Sequence, residues 1–104
     1  MVAKMSFSEK TIQDVWEKGT VVAKYDSTKW RKDQCGAWIS RSQYGNRDSQ
    51  YGWEIDHISP GGEDNLSNLR PLHWLNNVDK GDGRLKGYIT ADGNKNVDTC
   101  PHRQ

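Results

Sequence analysis

Only seventeen of the 104 residues are Leu, Ile, Val or Phe, which rules out an aliphatic core of ordinary size. Aliphatic poverty combined with high net charge would mark a disordered chain. The second condition fails here, because fifteen Lys and Arg face fourteen Asp and Glu, leaving +1. Five Trp and four Tyr supply the missing burial capacity, since each aromatic removes roughly 150–250 Å² from water. The expectation is one folded domain spanning residues 1–104, with a small aromatic core and little stability to spare. Near-balanced charge also argues against a purely electrostatic polyanion binder.

No apolar run approaches the ~20 residues that span a bilayer, so no membrane partner is expected. The opening MVAKMSFSEK lacks the hydrophobic segment of a secretory signal. Cys35 and Cys100 are too few for a disulfide framework. A reducing, cytoplasmic setting is the resulting expectation, with secretion as a toxin left open.

The pattern of elements is α+β. Residues 6–18 read as a helix, with capping-box spacing in Ser6-Phe7-Ser8-Glu9 and with Ile12, Val15 and Trp16 on one face; Gly19 ends it. Asp26-Ser27-Thr28 reads as a turn, Ala37-Trp38-Ile39 as a short strand and 40–52 as turn-rich. Residues 53–58 alternate apolar and polar with period two, the signature of a strand. SPGGEDN, residues 59–65, is a loop by composition. Pro71 is placed to open a second helix through Leu72, Leu75 and Val78 to Lys80, stopped by Gly81-Asp82-Gly83. A hairpin over about 85–98 turns at Asp92-Gly93. Trp53 and Trp74 are assigned to the core, with Trp30 and Trp38 beside them.

Charge is segregated along the chain. Residues 24–47 hold six basic and two acidic side chains, whereas 48–69 hold five acidic and no Lys or Arg. That is either a solvated surface fluctuation or a carboxylate-rich site for a hard cation beside a basic surface for phosphates.

The informative stretch is Trp53 to Lys80, WEIDHISPGGEDNLSNLRPLHWLNNVDK. Asp56 and His57 close the strand, Asn68 follows a Gly-rich loop, and Asn77 shares a helical face with Lys80 at i, i+3. Adjacent residues on an extended backbone point to opposite faces. A bend or bulge at Ile58-Ser59-Pro60 would be needed for Asp56 and His57 to serve one cleft.

These residues resemble the HNH endonucleases, particularly small bacterial and phage members with Asn in the third motif position. Asp56-His57 is similar to the family's Asp-His pair, Asn68-Leu69-Arg70-Pro71-Leu72 to its Asn-Leu-x-x-Leu element, and Asn77 occupies the place of the second His. The resemblance is strong over 53–80 and looser over 30–86, where Asp33-Gln34-Cys35-Gly36-Ala37 and Gln43-Tyr44-Gly45 resemble the segments that precede the motif. It implies a ββα-metal (His-Me finger) core, two antiparallel strands and a helix around one divalent cation, here carrying an N-terminal helix and a C-terminal β-hairpin.

The implied activity is metal-dependent hydrolysis of DNA phosphodiester bonds, with RNA left open and specificity supplied by loops or a protein partner. A neutral imidazole can accept a water proton near neutral pH, which makes His57 the general base. Asp56 and the amide oxygen of Asn77 suit a hard ion, Mg²⁺ or Mn²⁺ with Zn²⁺ or Ni²⁺ as alternatives, and Asn76 is the fallback ligand. Asn68 is expected to fix the loop and the His57 ring. Candidate phosphate contacts are Lys80, Arg70, Arg84, Arg41 and Arg47, with Arg31, Lys32 and Lys86 behind them.

Singly, these residues have plainer readings: an Asp-His pair is commonly structural, and Asn68 and Asn77 are ordinary turn and helix-end residues. The competing function is a non-catalytic nucleic-acid or protein binding module on the same scaffold; a Cys35–Cys100 redox pair is a third. The paired cysteines with which many HNH proteins bind a structural zinc are reduced here to Cys35, with Lys32, His73 and Asn76 in the other positions. Structural zinc is therefore not expected, although Cys35, His73, Cys100 and His102 could form a tetrahedral set.

Overall fold

The computed structural model describes residues 7–103 as two helices and three antiparallel two-stranded hairpins. Among the described residues no helix is long and apolar enough to cross a membrane. The first helix, α1, is Glu9–Trp16. Its N-cap is Ser8, whose Oγ accepts the Thr11 amide at 3.1 Å, rather than Ser6, which lies outside the described residues. Ile12, Val15 and Trp16 fall at helical spacing and are all buried. Two residues short of the predicted end, Glu17 caps the helix through its amide.

Strands β1, Trp30–Lys32, and β2, Trp38–Ser40, pair in the register Trp30↔Ser40. The first was not anticipated, and it is held at its far edge by a bridge between Thr20 and Lys32. Strand β3, Trp53–His57, pairs with β4, Leu69–His73, from Trp53↔His73 to His57↔Leu69. Helix α2, Trp74–Lys80, follows β4 without a break. Strands β5, Ile89–Asp92, and β6, Lys95–Asp98, form the C-terminal hairpin, turning at Gly93-Asn94.

The second helix thus starts three residues later than Pro71 suggested. Pro71 instead stands opposite Ile55 in β4, whose only ladder partner among the described residues is β3. An edge position tolerates the missing proline N–H. The helix is opened by His73, an unusual N-cap, whose Nδ1 accepts the Leu75 amide at 3.1 Å.

Two centres hold the molecule together. One is apolar: Ile12, Val15, Trp16, Ile39, Trp53 and Leu69 form the buried cluster, with Phe7, Tyr44 and Ile55 packed against it. The Trp16 and Trp53 rings meet at 5.3 Å between centroids. Trp38 is also buried, but Trp30 and Trp74 are only partly covered. Trp74 is therefore no core residue; its ring lies between His73 and the Arg47 guanidinium, 5.9 Å from each.

The other centre is polar and turns on Asp33, which is 2 % exposed. Its Oδ1 accepts the amides of Cys35 and Ala37, each at 2.9 Å. Its Oδ2 accepts the His73 amide at 2.9 Å and the Asn76 amide nitrogen at 3.1 Å. Asn76 in turn exchanges two hydrogen bonds with the Ile89 backbone. One buried carboxylate thereby ties the β1–β2 loop to α2, and α2 to β5.

Candidate functional site

The site is built on the end of β3 and the α2 face packed beside it. Alternation along β3 sets Glu54 and Asp56 on one face, and His57 on the other. The ladder runs unbroken through Asp56↔Arg70 and His57↔Leu69, and the Ile58 amide continues it to the Asn68 carbonyl at 2.8 Å. No bulge intervenes within the strand; the chain bends at Ile58 and Ser59 and turns at Pro60, just past it, and within β3 Asp56 and His57 remain on opposite faces.

Asp56 is 6 % exposed and faces two cations. Arg70, its cross-strand neighbour, donates Nε to Oδ2 at 2.8 Å and reaches the Gln34 amide oxygen at 3.1 Å. Lys80, 5 % exposed, sets Nζ 3.2 Å from Oδ1. The same ammonium lies 3.4 Å from the His57 carbonyl oxygen, a long contact. Lys80 therefore joins the end of α2 to both motif residues on β3.

Asn77, one turn earlier on α2, is set against Glu54 rather than Asp56, donating Nδ2 to Oε1 at 2.9 Å. Glu54 also takes a two-pronged contact from Arg47, at 2.5 and 2.8 Å. Half-burial pushes the Glu54 carboxyl up, but the hydrogen bonds from Arg47 and Asn77 and the Arg47 charge outweigh it, leaving the group below its ordinary value. Glu54 was missed as a site residue. The period-two alternation that placed it in step with Asp56 was the available signal.

His57 is half-buried beside Phe7, ring centroids 6.3 Å apart. Its Nε2 lies 2.6 Å from Oδ1 of Asp64, a loop residue with no motif status. Asn68 holds that loop: its Oδ1 accepts the Ser59 amide and its Nδ2 donates to the Glu63 carbonyl, both at 2.9 Å. Gly62 is required there, because a Cβ would come within 2.7 Å of Asn68 Nδ2. Asn68 thus fixes the loop as expected, whereas the His57 ring is held by Asp64 instead.

Of the other candidates, Asn76 is fully buried and spent on Asp33 and Ile89, which removes it as a fallback ligand. Arg41 bonds Gln13 at 2.9 Å on the α1 side, and Arg47 is committed to Glu54. Arg84 is exposed, and Lys86 donates to the Asp79 carbonyl at 2.9 Å. Of these basic candidates, Arg70 and Lys80 are the two that contact Asp56. A depression of about 200 Å³ is lined by Lys18, Gln34, Ile58, Arg70 and Pro71, but by none of Asp56, His57 or Lys80. A larger one, about 240 Å³ between Arg47, His73, Trp74 and Asp98, likewise includes none of them.

A hard divalent ion has suitable donors in the Asp56 carboxylate and the Asn77 amide oxygen. Among the described residues, however, no three His, Cys, Asp or Glu side chains gather as a metal-holding group. Oδ1 of Asp56 already faces the ammonium of Lys80. The donors fit a cation in kind, provided that Lys80 moves. For zinc at the second centre the fit is poor. Both His73 ring nitrogens are engaged, Nδ1 by the Leu75 amide and Nε2 by the Gln50 carbonyl at 2.8 Å. Among the described residues neither Cys35 nor Cys100 is in a disulfide.

Comparison of the chain with models of protein families, with curated proteins and with solved structures found no match.

Proposed function

We propose that the protein is an HNH-type, metal-dependent endonuclease acting on DNA, with His57 as the general base. The observation that carries this reading is the contact of Lys80 with both Asp56 and the His57 backbone. It brings the resemblance-bearing residues of strand and helix to one point, in a β3–β4–α2 order that suits a ββα core.

His57 is equipped for proton transfer. With Nε2–H donated to Asp64, the lone pair stands on Nδ1, and a neutral imidazole in that tautomer can accept a proton from water. Asp64 would stabilise the imidazolium that forms. Asn68 keeps the loop, and with it Asp64, in place. Asp56 and Asn77 would hold the divalent ion, whose chemistry is to stabilise charge on the phosphoryl and leaving oxygens. Lys18 and Arg70 supply positive charge along the depression where a phosphate backbone would lie.

The test is nicking of supercoiled plasmid by the protein with Mg²⁺ or Mn²⁺, with EDTA, and with Asp56→Asn. Metal-dependent nicking that Asp56→Asn abolishes supports the reading. The second reading, a non-catalytic binding module, is favoured by the closure of Asp56 between Arg70 and Lys80. It predicts DNA retention without nicking under every metal condition.

A further inference from the structure

We propose that the outer face of the β1–β2 hairpin is a binding surface for single-stranded nucleic acid, where unpaired bases lie against aromatic rings and lysines meet the phosphates. This surface shares no residue with the surroundings of Asp56 and His57. The proposal holds whether or not the chain cuts DNA.

Alternation and pairing assign the faces. Lys32 stands opposite Trp38, and Trp30 opposite Ser40, so Trp30, Lys32 and Trp38 share one face of the hairpin. Arg31 and Ile39 share the other: Ile39 lies in the apolar cluster, and the Arg31 guanidinium is 5.9 Å from the Trp16 ring. An antiparallel pair with one face on the core ordinarily turns polar side chains outwards. Here the outward face carries a chain of rings instead. Tyr25 meets Trp38 at 4.7 Å between centroids, Trp38 meets Trp30 at 6.3 Å, and Trp30 meets Tyr51 at 4.9 Å. Trp38 is the floor, 4 % exposed. The tip of the β5–β6 hairpin closes one side, where the Gly93 carbonyl accepts Trp38 Nε1 and the Asn94 carbonyl accepts the Tyr51 hydroxyl. Tyr25 remains 44 % exposed, and Trp30 and Tyr51 are half-buried.

Positive charge accompanies the rings. Lys32 Nζ lies 4.8 Å from the centre of the Trp38 ring, and Lys24 and Lys29, both exposed, adjoin Tyr25 and Trp30 in the chain. None of the three lysines enters a salt bridge among the described residues. Asp26, the carboxylate of this stretch, is turned onto the amide and hydroxyl of Thr28 and feels the Lys29 charge. The arginines of the basic segment 24–47 are spent elsewhere: Arg31 on the Glu17 carbonyl, Arg41 on Gln13 and Arg47 on Glu54. The lysines are what that segment leaves for a partner, and they sit with the rings. A single strand offers flat base faces in line with phosphates, and rings beside a basic surface hold it with little regard to sequence. A duplex hides its base faces in its own stack and would meet only the lysines.

The experiment measures fluorescence polarisation of a short labelled oligothymidylate, an abasic strand of the same length, and the oligothymidylate paired with its complement, all in EDTA so that no strand is cut. The proteins are the wild type, Tyr25→Ala, Lys29→Gln and, as a control on the exposed side of α1, Lys10→Gln. The wild type is expected to bind the oligothymidylate at least about fivefold tighter than the abasic strand or the duplex. Tyr25→Ala should remove that preference, Lys29→Gln should weaken both single strands alike, and Lys10→Gln should change neither. Equal binding of the three ligands, or a preference for bases that Tyr25→Ala leaves intact, overturns the proposal. Absence of binding overturns it too, and dimerisation of the wild type that Tyr25→Ala abolishes would then assign the face to a second copy of the chain. If Tyr25→Ala does not fold, the wild-type preference and the contrast between Lys29→Gln and Lys10→Gln decide. Metal-dependent nicking is read separately, and the nuclease reading survives each of these failures.

Discussion

The carboxylate of Asp33 and the side-chain amide of Asn76, 43 positions apart in the chain, are joined by a 3.1 Å hydrogen bond in the fully covered interior. Around that bond the β1–β2 loop, α2 and β5 are tied together by hydrogen bonds. A chain with so few aliphatic residues thereby gains a second organising centre. Removing Asp33 would strip four donors of their acceptor at once. Unsatisfied buried donors cost about 1–3 kcal/mol each. Asp33→Ala is expected to lose the cooperative urea transition at 25 °C. A transition within about 1 kcal/mol of wild type would show that the network contributes little.

The apolar centre depends on Trp16 and Trp53. Truncating a buried Trp typically costs about 3–5 kcal/mol, a large share of a small domain's margin. Trp53→Ala and Trp16→Ala should both destabilise by that order in denaturant titrations. The two differ under a milder change. Trp16 donates Nε1 to the Ser27 carbonyl at 3.0 Å, while the buried Nε1 of Trp53 has no hydrogen-bond partner among the described residues. Trp53→Phe should therefore cost less than Trp16→Phe, and the reverse order would refute the assignment.

His73 couples stability to pH. Burial holds the imidazole below its ordinary value of 6.5, against the opposing pull of the Gln50 carbonyl and of Asp33. The unfolded chain thus takes up its proton first as pH falls. The His73 contribution is complete above about pH 6.5 and is lost as pH drops from there towards the lower folded value. Urea midpoints should be level from pH 8 to 7 and then decline to pH 5.5. A His73→Gln variant should show a shallower decline. An equal decline would assign the effect elsewhere.

Cys35 should be a sluggish nucleophile. Burial, with the nearby Asp33 carboxylate, pushes its thiol up to about 11 from 9.0. At pH 8 it would carry about one hundredth of the thiolate of an ordinary cysteine. Iodoacetamide at pH 8 should modify Cys35 far more slowly in the folded protein than in urea. Comparable rates would contradict the burial, and would reopen the redox reading.

What could be read from the chain was whatever depends on local periodicity. The helix face of Ile12, Val15 and Trp16 and the alternation of β3 were legible because each repeats within a few residues, and the C-terminal hairpin was legible from its turn, although its strands begin at Ile89 rather than at 85. The start of α2 was not. Pro71 carries the same letter whether it opens a helix or stands at a strand edge, and only pairing with Ile55 decides between them. The candidate site divides in the same way. Asn68 was recognisable as a loop anchor because its partners are close in sequence. The closure of Asp56 by Arg70 and Lys80 depends on strand register and helix docking, 14 and 24 positions away, which no local pattern encodes. The Glu54 contact to Asn77, 23 positions apart, escaped notice for the same reason, whereas Asp64 lies seven positions from His57 and escaped because no motif marks it.

The central claim is catalysis by His57 in a metal-dependent site. It is tested most directly by plasmid nicking with purified wild type and His57→Ala, matched in circular dichroism, in Mg²⁺ or Mn²⁺ and in EDTA. General-base removal typically costs about 10²–10⁴-fold. The account predicts nicking by the wild type only with metal, and a loss of at least about a hundredfold in His57→Ala. Equal nicking by the two proteins, or nicking by the wild type that persists in EDTA, would contradict it.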